Sequence, residues 1–413
     1  MLAGCAHEGT ALSARVVTPR SAARAVAPGA AQHGVAIGAP AGVLTMAAIS
    51  AEDLRTRVYI FADDSMQGRA AGSPGHERAL TYIVHELTRL GLRPPANASS
   101  YLQRVPLPGG GGDTVWSNNV IAVIPGSDSA LSMQYVALGA HSDHLGMRHT
   151  PVNHDSVRAV NRALWEKRGR VAGAPSVSAS DRAAIMTRVN ASVQTRRMAG
   201  LVRLDSIYNG ADDDGSGSMA LLELAEYFAA QPVALRRSLL FVWHTAEEIG
   251  LNGSDWFVTH PVVPLRQIVA QINIDMIGRG TARDVAGGGD DYLDVIGAGR
   301  LSSELADWVR EVNATEPKPL ALDYSLDADG HPENIYCRSD HALYASRGIP
   351  IVFFFTNIHE DYHEVTDEPP YLDYPHFARI TSYIGDLVRS IANRATAPVV
   401  DKPRPDPRAR CRQ

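Results

Sequence analysis

The feature that most constrains this chain is His244-Thr245-Ala246-Glu247-Glu248, which follows the apolar run Ser238 to Trp243. The run reads as a buried strand, so the two carboxylates stand where a strand ends. Adjacent glutamates repel, and burying both requires a counter-charge. A metal cation supplies one, with one carboxylate ligating and its neighbour acting as a base. That arrangement demands further ligands elsewhere in the chain.

The chain has 413 residues, 45% of them hydrophobic, enough for a substantial core. A net charge of −6 argues against general nucleic-acid binding. No apolar run is long enough to span a membrane. Cys5, Cys337 and Cys411 are too few and too scattered for a disulfide framework or a cysteine metal site.

Leu2-Ala3-Gly4-Cys5 resembles a bacterial lipobox, after which Cys5 would carry a lipid anchor. Either the start lies inside a longer signal peptide, which makes the protein periplasm-facing, or the match is chance. Residues 1–46 read as a signal remnant and a disordered linker, rich in Ala, Gly, Pro and Val.

Regular structure is expected from Ser50, an N-cap before Ala51-Glu52-Asp53. Ala79, Ile83, Leu87 and Leu90 mark a helix that Gly91 can end. Val120–Ile124 and Tyr135–Leu138 read as strands, the second running into Gly139-Ala140-His141-Ser142-Asp143-His144. An Asp two residues after a His can hold the imidazole in its ligating tautomer. The C-terminal ends of strands are also where open α/β sheets place their sites.

Residues 148–203 carry eleven Lys or Arg against three acids. Val157, Val160 and Leu164, then Ile185, Val189 and Val193, predict two amphipathic helices in an inserted hairpin. The hairpin is expected to narrow the cleft, or else to be a tolerated surface excursion. Asn209-Gly210-Ala211-Asp212-Asp213-Asp214-Gly215 follows, with a helix through Leu221, Leu224, Ala225 and Phe228. Helix polarity explains one aspartate there but not three. A calcium loop fails for want of a Glu at the twelfth position. The apolar strand Ile268–Ile274 ends in Asp275, and Pro350–Phe355 leads to His359-Glu360-Asp361-Tyr362-His363. A final helix is expected over 376–392 and a disordered tail over 395–413.

Strand-end acids and histidines thus occur in the order His, Asp, Glu-Glu, Asp, His. With Ala246-Glu247-Glu248-Ile249-Gly250, Asn273-Ile274-Asp275-Met276-Ile277-Gly278 and Arg338-Ser339-Asp340-His341 between them, the chain resembles the co-catalytic dizinc aminopeptidase family. This is the family containing the Aeromonas and Streptomyces aminopeptidases, and the likeness runs over about 51–392. It implies one α/β domain, 47–394, with a mixed, mainly parallel sheet and helices on both faces. It also implies two zinc ions per chain and peptide substrates. His141 and Asp275 would ligate one zinc, Glu248 and His363 the other, and Asp213 would bridge them. Glu247 would be the general base, Asp143 would orient His141, and Tyr362 would bind the developing oxyanion. His359 competes with His363, and Arg338 to His341 would shape the pocket. A carboxypeptidase or dipeptidase of the same family, a glutaminyl cyclase and a metal-free receptor remain alternatives.

Overall fold

The computed structural model describes residues 45–108, 114–198, 202–231 and 233–413. The chain divides into Met1–Val43 and Leu44–Gln413, and every described residue lies in the second unit. The lipobox-like segment, most of the linker and the turn at 109–112 fall outside the described residues.

An eight-stranded sheet organises this unit. Its strands are β1 (Leu102–Leu107), β2 (Val115–Ile124), β3 (Tyr135–His141), β6 (Ser238–His244), β7 (Ile268–Ile274), β8 (Tyr292–Ile296), β9 (Ala321–Asp323) and β10 (Ile351–Phe355). Their spatial order is β1-β2-β6-β3-β7-β10-β8-β9. The central four, β6, β3, β7 and β10, are mutually parallel, and β1, β2 and β8 introduce the antiparallel pairings. This is the mixed α/β sheet expected from the sequence.

The central strands are buried on both faces, which is why they read as continuous apolar runs. Alternation still sorts their side chains. Leu239, Phe241 and Trp243 enter one core with Val136 and Leu138, while Leu240 and Val242 enter the other with Ala137. The first core is closed by α1 (Ala51–Phe61), α2 (Pro74–Arg89), α5 (Gly215–Ala229), α7 (Ala298–Leu301), α8 (Ser303–Thr315) and α10 (Tyr374–Asn393). The second is closed by α6 (Asn252–Thr259) and α9 (His341–Ser346). Each large apolar side chain so buried stabilises the fold by about 1.5–3 kcal/mol. Caps fix where helices begin: Ser50 accepts from Asp53 N, Ser73 from His76 N and Ser302 from Leu305 N.

The insertion stands on a ribbon of its own. β4 (Gly146–Asn153) and β5 (Leu204–Tyr208) pair antiparallel, and α3 (His154–Lys167) and α4 (Ala179–Met198) lie between them. Leu164, Ile185 and Val189 form the hairpin's small core, with Val160 and Val193 at its edge. The ribbon escapes sequence reading because Gly-Met-Arg-His-Thr-Pro-Val-Asn has no clean alternation and carries a proline. β1 escapes for a similar reason, being an edge strand containing Pro106.

Two expectations at the C-terminus need correction. Cys337 and Cys411 form a disulfide across 74 residues, with Cα atoms 5.7 Å apart. The segment 395–413, expected to be disordered, holds no helix or strand but is fastened to the body. Val399 N donates to Glu304, Ser303 N to Asp401, and Gln413 N to Asn334 Oδ1 at 3.0 Å. Cysteine count and Pro/Arg composition are local measures, whereas this pairing is set by tertiary structure. Closing such a loop removes about 4 kcal/mol of unfolded-chain entropy in the usual description.

Candidate metal centre

The parallel register brings the ends of β3, β6 and β7 to one edge, with His141 opposite His244 and Gly139 opposite Asn273. His141, Glu247-Glu248 and Asp275 therefore emerge side by side. Asp213 joins them from the loop before α5, and His363 from the loop after β10. Ala246, Met276 and His363 adopt φ of 58°, 53° and 58°, so three bends at this edge use the left-handed region outside glycine. Gly210 (φ 55°) starts the aspartate loop, where a Cβ would collide with Asp213 O and the His144 ring.

The side chains form two groups that share one carboxylate. His141 Nε2 lies 3.2 Å from Asp213 Oδ1 and 3.7 Å from Asp275 Oδ1. His363 Nε2 lies 3.1 Å from Asp213 Oδ2 and 3.0 Å from Glu248 Oε2. The two oxygens of Asp213 thus face two nitrogen-and-carboxylate sets, and its buried Oδ2 has no hydrogen-bond partner. His359, the competing histidine, turns away and pairs with Asp212 at 3.2 Å.

Proton affinities show how much positive charge the site demands. Against burial, Asp275 and Glu247 hold His141 well above the ordinary imidazole range. His363 is likewise pushed up to about 10, against burial, by Asp213 and Glu248. Burial lifts Glu247 well above its ordinary range, and Glu248 and Asp275 add to that. Protons on the histidines offset carboxylates that a dication would neutralise better. Imidazole nitrogen and carboxylate oxygen are donors zinc accepts, so the residues present fit that ion.

Scaffolding residues explain the remaining aspartates. Asp214 accepts from His141 N, Gly217 N and Met276 N, tying three of the loops together. Asp212 accepts from Gly278 N at 2.7 Å, and Asp367 accepts from the N–H groups of Asp212 and Asp213. Asp143 departs from its expected role. Its carboxylate is 3.9 Å from His141 Nδ1, while its main-chain carbonyl, 3.1 Å away, takes that hydrogen bond. The carboxylate instead accepts from Glu247 N at 3.1 Å, and burial raises its pKa to about 7.

Three contributors are given no role at the metal-ligand set by the sequence. His144 Nδ1 lies 2.6 Å from Glu248 Oε1, so it holds that carboxylate or can join its group. Fully buried Arg69 donates to the carbonyls of Phe61, Ser142, Asn209 and Gly210, stitching the β3 loop to the aspartate loop. Ser339 Oγ donates to Asp275 Oδ2 at 2.7 Å. The available signals were the second His of His-Ser-Asp-His and the Arg-Ser-Asp-His run.

The centre opens into a cleft. Met276, Ile335, Phe353, Phe355 and Ile358 form its apolar wall, and Arg338 and Tyr362 stand at its polar side.

A strand-end cluster of two His and four carboxylates on a mixed α/β sheet defines a metallohydrolase-like centre. Residues 119–388 match the family described as Peptidase family M28, and the chain belongs to it. It is 30% identical over 181 residues to leucine aminopeptidase 1 of Penicillium rubens, covering 40% of this chain and 43% of that protein. It spans less than half the length of the curated relatives it matches. Its fold is similar to that of an aminopeptidase from Aneurinibacillus sp. strain AM-1, with TM-score 0.53, 14% identity, and 86% and 98% of the two chains covered. It is equally similar to glutaminyl cyclase of Porphyromonas gingivalis, with TM-score 0.55, 17% identity, and 83% and 98% covered.

Proposed function

We propose that this protein is a metal-dependent aminopeptidase with two zinc ions per chain. His141 and Asp275 would hold one ion, Glu248 and His363 the other, and Asp213 both. Zinc, when bound, supplies Lewis acidity and lowers the pKa of water. Glu247, at the cleft and with a raised proton affinity, would take the proton of the attacking water and pass it to the leaving amine nitrogen. The Tyr362 hydroxyl would donate to the oxygen on which charge develops. The apolar wall would receive the side chain of the N-terminal residue.

The observation that carries the amino end over the carboxyl end is charge. Apart from histidines, Arg338 is the one cation among the described residues lining the cleft. It is already engaged by Glu333 at 2.6 Å and by Tyr362 at 3.1 Å. A carboxylate-reading enzyme needs a cationic side chain to spare, and the described residues lining the cleft offer none.

A panel of peptides, free or blocked at either end, assayed with and without chelator, tests this. The proposal requires hydrolysis of carboxyl-blocked peptides, none of amino-blocked ones, and loss of activity on chelation. Cleavage of amino-blocked peptides from the far end, or pyroglutamate as the only product, would overturn it. We also propose an extracytoplasmic location. The Cys337–Cys411 disulfide suits an oxidising compartment and accords with lipidation at Cys5.

A further inference from the structure

A second group of ligand-type side chains lies away from the cleft, where both ends of the insertion meet the body. His154 is the first residue of α3, Asp205 is on β5, and Glu368 is in the loop before α10. One donor atom from each lies within 4.8 Å of the other two. His154 is 1% exposed, and its Nε2, 3.2 Å from Glu368 Oε2, makes no hydrogen bond. On the other side of the ring, Nδ1 lies 3.4 Å from Asp155 Oδ1. An imidazole held at one nitrogen by a carboxylate presents a lone pair at the other, the arrangement of metal-ligating histidines. A lone pair so close to a carboxylate repels it unless a cation sits between them. Arg203 answers part of this demand, since its guanidinium contacts Glu368 and lies 3.5 Å from Asp205. It is half exposed, and one unit charge faces two carboxylates.

We propose that His154, Asp205 and Glu368 form a third divalent-metal site, separate from the catalytic pair. One imidazole with two carboxylates is a donor set for zinc or manganese; calcium prefers oxygen throughout. Arg203 swings outward as the ion enters. The ion staples both ends of the hairpin to the loop whose Asp367 accepts from the N–H groups of Asp212 and Asp213. It is a structural ion that positions the insertion, and no catalytic step runs through it.

The test is a metal count by mass spectrometry on full-length protein, stripped, reloaded with zinc and dialysed. Wild type should hold one zinc more per chain than His154→Ala, and Glu368→Gln should match His154→Ala. In parallel, zinc should slow proteolysis within 168–178 in wild type but not in either variant. The count is read as a difference, so a single catalytic zinc instead of two leaves the test intact. If His154→Ala does not fold, Glu368→Gln alone carries it. Equal zinc content and equal protease protection in wild type and the folded variants overturn the proposal.

Discussion

Arg338 Nη2 donates to the Tyr362 hydroxyl oxygen at 3.1 Å, and both side chains line the cleft beside the metal-ligand cluster. Because the oxygen accepts from Arg338, its own proton is directed elsewhere. Burial, with the neighbouring Asp213 charge, raises the Tyr362 pKa well above its ordinary value, so that proton stays in place. The hydroxyl is thus a preset donor toward the cleft. Tyr362→Phe should lower kcat by about 10²- to 10³-fold, the usual cost of one oxyanion donor, with little change in zinc content or KM. An unchanged kcat removes Tyr362 from the mechanism.

Glu247 is held differently from its neighbour. Its main-chain N–H donates to Asp143, and its side chain makes none of the short imidazole contacts that engage Glu248. Glu247→Gln keeps the shape and loses the proton-accepting oxygen. It should keep both metals and lose about 10²- to 10⁴-fold in kcat. Kinetics with metal analysis decide, and near-normal turnover would sink the assignment.

The choice between histidines is also measurable. His363 sits 3.0 Å from Glu248, whereas His359 pairs with Asp212 behind the aspartate loop. His363→Ala should therefore cost one zinc and most activity. His359→Ala should lower thermal stability before it lowers metal content. The reverse pattern would exchange their roles.

These contrasts show what was legible in the sequence. His141, Glu247, Glu248 and Asp275 stood out as candidates because each polar group ends an apolar strand, a conflict visible within a few residues. Asp213 and His363 needed the resemblance, since a triple aspartate and a pair of histidines each left a choice open. Arg69 was invisible because its partners are four main-chain carbonyls, and no side-chain pattern records them. The Cys337–Cys411 bond joins residues 74 apart, and composition pointed the other way. The ribbon under the insertion failed because β4 is largely exposed and gains its pairing from β5.

A buried carboxyl outside the metal-ligand set gives stability a pH signature. Asp294 on β8 accepts from the Tyr292 hydroxyl at 2.9 Å, its Oδ2 has no partner, and Asp323 lies opposite on β9. Burial raises its pKa well above the ordinary 3.8, and no cation is among its causes. The folded state therefore binds this proton more tightly than the unfolded chain does. Its stabilising contribution is complete below 3.8 and is lost as pH rises toward the folded value, at about 1.4 kcal/mol per pH unit. Asp294→Asn should flatten the loss of stability between about pH 5 and about pH 8. Denaturant melts at both pH values test this, and parallel curves for variant and wild type would refute it.

The insertion reaches the cleft through α3. Trp165 Nε1 donates to Asp284 O, Ala286 N donates to Arg170 O at 2.9 Å, and Ala172 enters the second core. Arg158 pairs with Asp361 at 3.4 Å and stacks on Tyr371 at 3.5 Å, so the basic hairpin is held to the acidic body by ion pairs. Asn161, Leu164, Trp165 and Arg168 then line a hollow with Ile358 and Tyr362, the two residues it shares with the metal cleft. A peptide leaving the cleft past Tyr362 meets this wall. Shortening the insertion should lengthen the peptides accepted, as removing a lid would. Replacing residues 150–200 by a short Gly/Ser linker should raise kcat/KM for long peptides relative to dipeptides by about tenfold, equivalent to 1.4 kcal/mol. Circular dichroism and zinc analysis must first show that the trimmed enzyme is folded and loaded. An unchanged length preference in such a protein would mean that the hairpin stands beside the substrate path and does not bound it.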